Sequence, residues 1–311
     1  MKALKDSLEY TKEMMSHKMQ TMKSLFEESA FYDIKEYLYN GGDDTLVGSS
    51  LGRLSNWNLW CYLDEFLNKQ KNTLDLLVKS VFYGIWANKW EYVLGLIYKP
   101  YDEAVLFKNS SAHLALLVFL GYYGEATNYS NLLNSMLNNK QLSSFSDYPL
   151  YPWFIFDLYM RSQGEIISGK WNKPKQILYE EVLKNWNNPD SIQTDKLIVQ
   201  MCEMHIRESD EYTQTSSSIN DDSFIHTDSE SREFLEFSSA DYFIFPIEIL
   251  MWLKIRKNNG LYIKNDIHPL LMLDINQMPT QNLVVPAMDN LLKECISKLQ
   301  KDNPEIKFNF N

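Results

Sequence analysis

Apolar residues recur at intervals of three and four along most of this chain, the spacing that places them on one face of an α-helix. One such stripe consists of Trp57, Trp60, Leu63, Phe66 and Leu67. Short polar segments separate the stripes, and the pattern predicts roughly twelve helices joined by short connections. Short connections favour antiparallel helical hairpins, packed either as a bundle or as a solenoid. We therefore expect an all-α fold.

Three stretches allow more specific predictions. The apolar run from Leu4 to Leu25 predicts one long N-terminal helix. The stretch Leu114–Leu120 contains a single β-branched residue, Val118, which favours a buried helix over a buried strand. Pro286 precedes an apolar stripe and suits the first turn of a helix, so the last helix is expected to begin there.

The distribution of polar residues suggests two regions. Asn, Ser, Asp and Pro are frequent near residues 138–150, which places a boundary between an N-terminal helical region, 1–140, and a C-terminal helical region, 141–311. One continuous domain is the alternative. Polarity rises sharply over residues 208–236, and this segment is expected to form a long loop with a short helix near Glu230–Phe237.

The segment 208–236, called the acidic segment below, also concentrates the negative charge of the protein. The formal net charge is −11, and this segment has nine of the 41 carboxylates against one base, Arg232, a net charge of −8. Such a field suits a basic partner, and a loop that is merely solvated is the alternative interpretation. The nine carboxylates are Glu208, Asp210, Glu211, Asp221, Asp222, Asp228, Glu230, Glu233 and Glu236, and the first seven are the candidate partner-binding residues.

Composition favours a globular protein with many large side chains. The chain has 311 residues, of which 45% are hydrophobic, and it contains 8 Trp, 19 Tyr and 16 Phe. Aromatic residues in this number supply a core and anchors for a recognition surface. The N-terminus lacks a signal-peptide apolar region, and no apolar stretch approaches the roughly 20 residues that span a bilayer. Three widely spaced cysteines form no disulfide framework, so a reducing cytoplasm is the expected location, without a membrane partner.

Motifs for catalysis are absent from the sequence. It has no phosphate-binding loop, no dinucleotide-binding glycine pattern, no zinc-protease motif and no nucleophile elbow. Cys202 and His205 lie three residues apart on a predicted helix, but two ligands do not complete a zinc site. Lysines and arginines form no cluster that would bind nucleic acid. We therefore predict no catalytic residues, metal, cofactor or nucleic-acid partner.

The most distinctive part of the sequence lies towards its C-terminal end. Pro246 is expected to start a helix that contains Glu248 and Arg256. These two residues are too far apart for an ion pair within the helix, so each is expected to meet a different neighbour. His268 precedes Pro269, and its ring is expected to fix the returning chain through a backbone hydrogen bond. The alternative interpretation is purely structural: the pattern forms a helix and the segment that docks against it.

The segment from Pro246 to Pro269, together with His205 and Phe234 upstream of it, resembles helical immunity proteins of bacterial polymorphic-toxin systems. Such proteins neutralise toxins delivered by type VI secretion or contact-dependent inhibition, including Rhs-type toxins. The resemblance covers the C-terminal part of the chain and implies an all-α protein that occludes a cognate toxin domain and has no catalytic residues. The structural signature consists of His205, Phe234, Pro246, Glu248, Arg256, His268 and Pro269.

The expected function is therefore binding. A nuclease toxin has a basic substrate groove, where carboxylates of the acidic segment would replace phosphates, so a nuclease is favoured over a pore-forming toxin. The alternative is a helical-repeat adaptor or regulator of an endogenous peptide or protein, which a groove lined by Tyr and Asn would favour. An enzyme with an unfamiliar site would need a pocket with a buried carboxylate beside His205 or His268. The sequence leaves the oligomeric state open.

Overall fold

The computed structural model describes residues 2–98, 105–143, 149–165, 167, 176–209, 236–264, 266–280 and 283–308. Within these ranges the protein forms eleven α-helices, and the predicted all-α fold is confirmed. The chain divides into two compact units. Unit 1 combines Met1–Met14 with Ser146–Met278, and unit 2 combines Met15–Phe145 with Pro279–Asn311.

The helices are regular and most are of ordinary length. A π-helical turn (Ser24–Glu28) leads into the second helix, and a 3₁₀ turn (Asp274–Asn276) follows the tenth. Two-residue strands β1 (Val105–Leu106) and β2 (Leu142–Ser143) pair in parallel. The helices are α1 (Lys2–Thr21), α2 (Ser29–Asn40), α3 (Thr45–Leu67), α4 (Leu74–Ile97), α5 (Phe107–Leu120), α6 (Tyr123–Asn138), α7 (Tyr151–Ser162), α8 (Ile177–Asn185), α9 (Ser191–Glu208), α10 (Ile247–Asn258) and α11 (Asn290–Asp302).

In unit 2, consecutive helices from α2 to α6 pack against one another, and α11 packs against α2. Helix α5 is buried along most of its length, so the predicted buried helix at Leu114–Leu120 is confirmed. Gly41 and Gly121 follow α2 and α5 with φ angles of 71° and 90°. Only glycine adopts this left-handed conformation without steric cost, and it lets the chain reverse within a few residues.

In unit 1, α7 and α9 each pack against both α8 and α10. Helix α10 is buried over most of its length and includes Trp252, which has no solvent exposure. The first half of α1 belongs to this unit because the ring of Tyr10 stacks on Phe243, with 5.8 Å between ring centres.

Each end of the chain belongs to the compact unit that is formed mainly by the distant half of the sequence. The predicted boundary near residue 140 assigned each end to the region beside it, whereas residues 1–14 lie in unit 1 and residues 279–311 in unit 2. At the C-terminal end, Tyr83 donates a hydrogen bond to the Asp289 carboxylate at 3.0 Å. Contacts of this kind join residues far apart in sequence, so composition along the chain does not predict them.

The start of α11 differs from the prediction. The Asp289 side chain accepts a hydrogen bond from the backbone N–H of Leu292 at 2.7 Å, and α11 begins at Asn290. The prediction that this helix begins at Pro286 was therefore wrong. A carboxylate that bonds an unpaired N–H group at a helix start is favourable, whereas proline only fixes one backbone angle.

The contact between α4 and α5 depends on Gly84. The buried ring of His113 lies so close that a Cβ atom on Gly84 would be 2.1 Å from His113 Cε1. His113 Nε2 donates to Ser55 Oγ at 3.1 Å, because the Ser55 hydroxyl itself donates to the Ser80 carbonyl at 2.7 Å. Burial lowers the pKa of His113 to about 4, so the ring is neutral near pH 7.

We expect Gly84→Ala to lower the free energy of unfolding by about 1–3 kcal/mol, because the added methyl group overlaps the buried imidazole. Gly52→Ala is the matched control, since a Cβ atom at Gly52 on α3 meets nothing within 4 Å. That change should stabilise the protein by about 0.5–1 kcal/mol through helix propensity. Urea unfolding measures both, and a stabilising effect of Gly84→Ala would contradict the close packing.

Candidate partner-binding site at the base of the acidic segment

The two ends of the acidic segment meet at one place in unit 1. The carbonyl of Glu208, the last residue of α9, accepts a hydrogen bond from the N–H of Phe237 at 3.2 Å. The Glu208 side chain is partly exposed and lies 3.2 Å from Arg207 Nε. The structure thus describes the base of this segment. The candidate residues Asp210, Glu211, Asp221, Asp222, Asp228 and Glu230, the signature residue Phe234 and most of the predicted helix at 230–237 lie outside the described residues.

Phe237 fixes the returning end of the acidic segment. Its buried ring stacks on Tyr151, with 5.1 Å between ring centres and 21° between ring planes. The same ring lies 4.0 Å from the ring centre of His205. Burying a phenylalanine side chain contributes roughly 1.5–3 kcal/mol, so this residue holds the chain firmly against α7 and α9.

Glu236 is part of the core, although it belongs to the acidic segment. Its carboxylate accepts hydrogen bonds from the N–H groups of Leu150, at 2.9 Å, and of Tyr151, and from the Tyr179 hydroxyl at 3.2 Å. The two N–H groups lie at the start of α7, where a helix leaves its donors unpaired, so Glu236 caps that helix from a distance in sequence. Burial raises the pKa of Glu236 to about 7, and the three hydrogen bonds oppose the rise. The expectation of a solvated segment is wrong at this residue.

A buried proton joins α9 to α10. His205 Nδ1 lies 2.8 Å from Glu248 Oε1, and His205 Nε2 lies 2.9 Å from the Tyr242 carbonyl oxygen. A carbonyl only accepts, so Nε2 must be protonated. The contact between Nδ1 and Oε1 therefore needs one further proton, whether it resides on the imidazole or on the carboxyl. This pair links two helices that are in contact although His205 and Glu248 are distant in sequence.

Arg256 binds backbone carbonyls. Its guanidinium has no solvent exposure and donates to the carbonyls of Trp186 and Asn188, at 3.1 and 3.0 Å, and to that of Tyr262 at 3.1 and 3.3 Å. Trp186 follows α8 directly, and its carbonyl also accepts from Trp252 Nε1 at 3.0 Å. Burial lowers the pKa of Arg256, but a guanidinium remains charged near pH 7. Glu248 and Arg256 thus meet different neighbours, as predicted.

His268 holds the segment that follows α10. Its Nδ1 accepts a hydrogen bond from the Leu270 N–H at 3.2 Å, so the predicted backbone bond is confirmed, and its Nε2 lies 3.2 Å from Glu203 Oε1. Pro246 is buried at the start of α10, and Pro269 is exposed. These contacts give the described signature residues structural roles.

The chemistry of this cluster does not suit catalysis. His205 and Glu248 have no solvent exposure, so no substrate reaches the pair although a buried carboxylate lies beside His205. Cys202 is buried, and burial raises the pKa of its thiol well above the ordinary range. Within the part of the chain that the structure describes, no three His, Cys, Asp or Glu side chains are placed to hold a metal ion.

A separate pocket of about 210 Å³ lies in unit 2. Its lining includes the rings of Phe82 and Trp86 on α4 and of Tyr129 on α6. The lining residues come from three distant parts of the sequence, so periodicity alone does not reveal the pocket. The remaining lining residues are Ile85, Lys89, Glu125, Asn128, Val285, Pro286 and Met288.

Some aromatic side chains are exposed, as the anchors of a recognition surface must be. Tyr32 and Tyr39 are 61% and 65% exposed. They lie seven residues apart on α2, about two helical turns, so they share one face of that helix. Large exposed side chains on one helix face are available to a partner.

Comparison with protein-family models, curated proteins and solved structures finds no match to this chain. The fold and the contacts above are therefore the basis for any assignment. No helix in the described ranges combines the length and the apolar character that crossing a bilayer requires.

We expect Glu248→Gln to cost less than about 1 kcal/mol, because its amide N–H donates to the unprotonated Nδ1 of a neutral His205. Glu248→Ala should cost about 2–4 kcal/mol, since it leaves Nδ1 buried without a partner and opens a cavity. Urea unfolding near pH 7 compares the two variants. Equal losses would show that the pair requires a carboxylate beside a protonated imidazole, which an amide does not replace.

Glu236 should make stability depend on pH. Between pH 4.5 and 7 the unfolded chain loses this proton while the folded chain keeps it, so the free energy of unfolding falls as pH rises, by about 3 kcal/mol in total. Glu236→Gln carries no titrating group and should lack this part of the slope. Urea unfolding of both proteins across that range gives the difference, and parallel curves would contradict the raised pKa.

Proposed function

We propose that this protein is an immunity protein that binds and occludes a cognate antibacterial toxin domain in the cytoplasm. The observation that carries the proposal is the net charge of −8 in residues 208–236, a segment whose two ends close on unit 1 through Glu208 and Phe237. The resemblance of the signature residues to helical immunity proteins supports it. Inhibition by occlusion needs a complementary surface and no catalytic group.

The charge of the acidic segment favours a basic partner. A nuclease binds the phosphate backbone of its substrate with lysine and arginine side chains. Carboxylates presented to that groove replace the phosphates and accelerate encounter by electrostatic attraction. We therefore propose a nuclease domain as the toxin, with the contact provided by Glu208, Asp210, Glu211, Asp221, Asp222, Asp228 and Glu230.

The base of the acidic segment supports such a contact. Phe237 and Glu236 tie the returning end to α7, while Glu208 is part of α9. In general, a chain segment with both ends fixed loses less entropy on binding than one with a free end.

Neutralising the segment should slow binding to the toxin domain. We expect Asp221→Asn, Asp222→Asn, Asp228→Asn and Glu230→Gln together to reduce the association rate about 10- to 100-fold at low salt, with a weaker dependence on ionic strength. Stopped-flow association with the purified toxin domain encoded by the adjacent gene, in catalytically inactive form, measures both effects.

A matched control removes four carboxylates elsewhere. Glu28, Asp75, Glu181 and Glu305 are exposed, and their neutralisation changes the net charge by the same amount. We expect this control to bind within about threefold of the native rate, because long-range charges are screened in salt. Equal slowing of both variants would show that the acidic segment acts only through the net charge of the protein. Unchanged binding after neutralisation of the segment would show that it has no role in binding.

A peptide-binding adaptor or regulator is the second candidate function. The observation that favours it is the pocket in unit 2, whose lining includes Tyr129 and Asn128. An adaptor that uses this pocket would keep its affinity after the acidic segment is neutralised and would lose it when the pocket is blocked. The two functions are thus separated by the same set of variants.

A further inference from the structure

The pocket in unit 2 has the size of one large side chain. Its volume of about 210 Å³ exceeds that of an engineered apolar cavity in another protein, roughly 150 Å³, which is large enough to bind benzene. It is smaller than the roughly 300–1,000 Å³ of sites that enclose whole drug-sized ligands. An indole or phenol ring fits this space, whereas a nucleotide or a cofactor does not.

The lining of the pocket favours an aromatic group. Phe82, Trp86 and Tyr129 present three rings, and stacked or edge-to-face ring pairs contribute more than their buried area alone. Met288 adds a thioether, which makes favourable contacts with ring edges. Lys89 adds an ammonium group, which attracts the face of a ring. An aliphatic side chain gains none of these contributions.

The polar lining residues favour a group attached to a polypeptide. Lys89 supplies donors, Glu125 supplies acceptors, and the exposed Asn128 supplies both. The peptide groups on either side of an inserted side chain need both kinds of partner.

Exposed valines extend the apolar surface beyond the pocket. Val285 lines the pocket and is 43% exposed, and its neighbour Val284 is 86% exposed. The Val284 carbonyl accepts a hydrogen bond from the Tyr122 hydroxyl at 2.9 Å, which holds this stretch in place. Apolar surface next to a pocket serves a chain that continues past its anchor, whereas a free ring leaves it unused.

We propose that this pocket binds an aromatic side chain of a partner polypeptide, with the ring between α4 and α6 and the main chain across Lys89, Glu125 and Val284. The site lies in unit 2, and the inference holds whether or not the partner is a toxin. Deeply inserted aromatic anchors dominate the affinity of many protein interfaces.

The test uses short peptides as probes. Acetyl-Gly-Trp-Gly-amide, the corresponding alanine peptide and indole are titrated into the full-length protein by ligand-detected NMR and calorimetry. We expect the tryptophan peptide to bind with a Kd on the order of 0.1–1 mM, at least about tenfold tighter than either the alanine peptide or indole. No binding of the tryptophan peptide up to about 10 mM would overturn the proposal, as would equal affinity of the peptide and indole.

Two substitutions by tryptophan provide matched variants. Val285→Trp should fill the pocket and weaken binding of the tryptophan peptide at least about tenfold, whereas Leu46→Trp, at an equally exposed position of α3 that does not line the pocket, should leave the affinity unchanged. Thermal unfolding verifies that both variants are folded. If Val285→Trp unfolds, Asn128→Trp on the exposed edge of α6 replaces it. Equal effects of Val285→Trp and Leu46→Trp would place the binding elsewhere.

Discussion

Unit 1 depends on one proton held between His205 and Glu248. The two side chains have no access to water, so both ring nitrogens of His205 depend on Glu248 and on the Tyr242 carbonyl for their hydrogen bonds. Because the pair joins α9 to α10, it also fixes the imidazole against which Phe237 packs. The position at which the acidic segment rejoins the fold therefore rests on a buried hydrogen bond as well as on apolar contact.

Local features of the structure follow from the sequence, and features that join distant residues do not. The three- and four-residue periodicity predicted the all-α fold, and the composition of Leu114–Leu120 predicted a buried helix. The bond from His268 to the Leu270 N–H was also predictable, because the two residues are neighbours. Glu236 was misjudged because its surroundings in sequence are polar, whereas its partners begin α7. The apolar Phe237 beside it was the one signal that the chain re-enters the core there.

Buried charge in this protein is used mainly to satisfy backbone groups. Arg256 binds the carbonyls that follow α8, and Glu236 binds the N–H groups that begin α7. Each replaces a cap that would ordinarily come from an adjacent residue. The end of α8 and the start of α7 are therefore stabilised by residues that are remote in sequence. Such bonds favour one arrangement of the helices over others of similar apolar content, since a shifted helix would leave charged groups buried without partners.

The hydrogen bond between Glu208 and Phe237 closes the chain on both sides of the acidic segment. The entropy of closing a flexible loop changes little with its length, by only about 0.6 kcal/mol per doubling. A change in the number of residues between Glu208 and Phe237 would therefore alter the cost of closing the chain only slightly. The helical framework of unit 1 can thus be inherited unchanged while the length of the chain between these two residues varies.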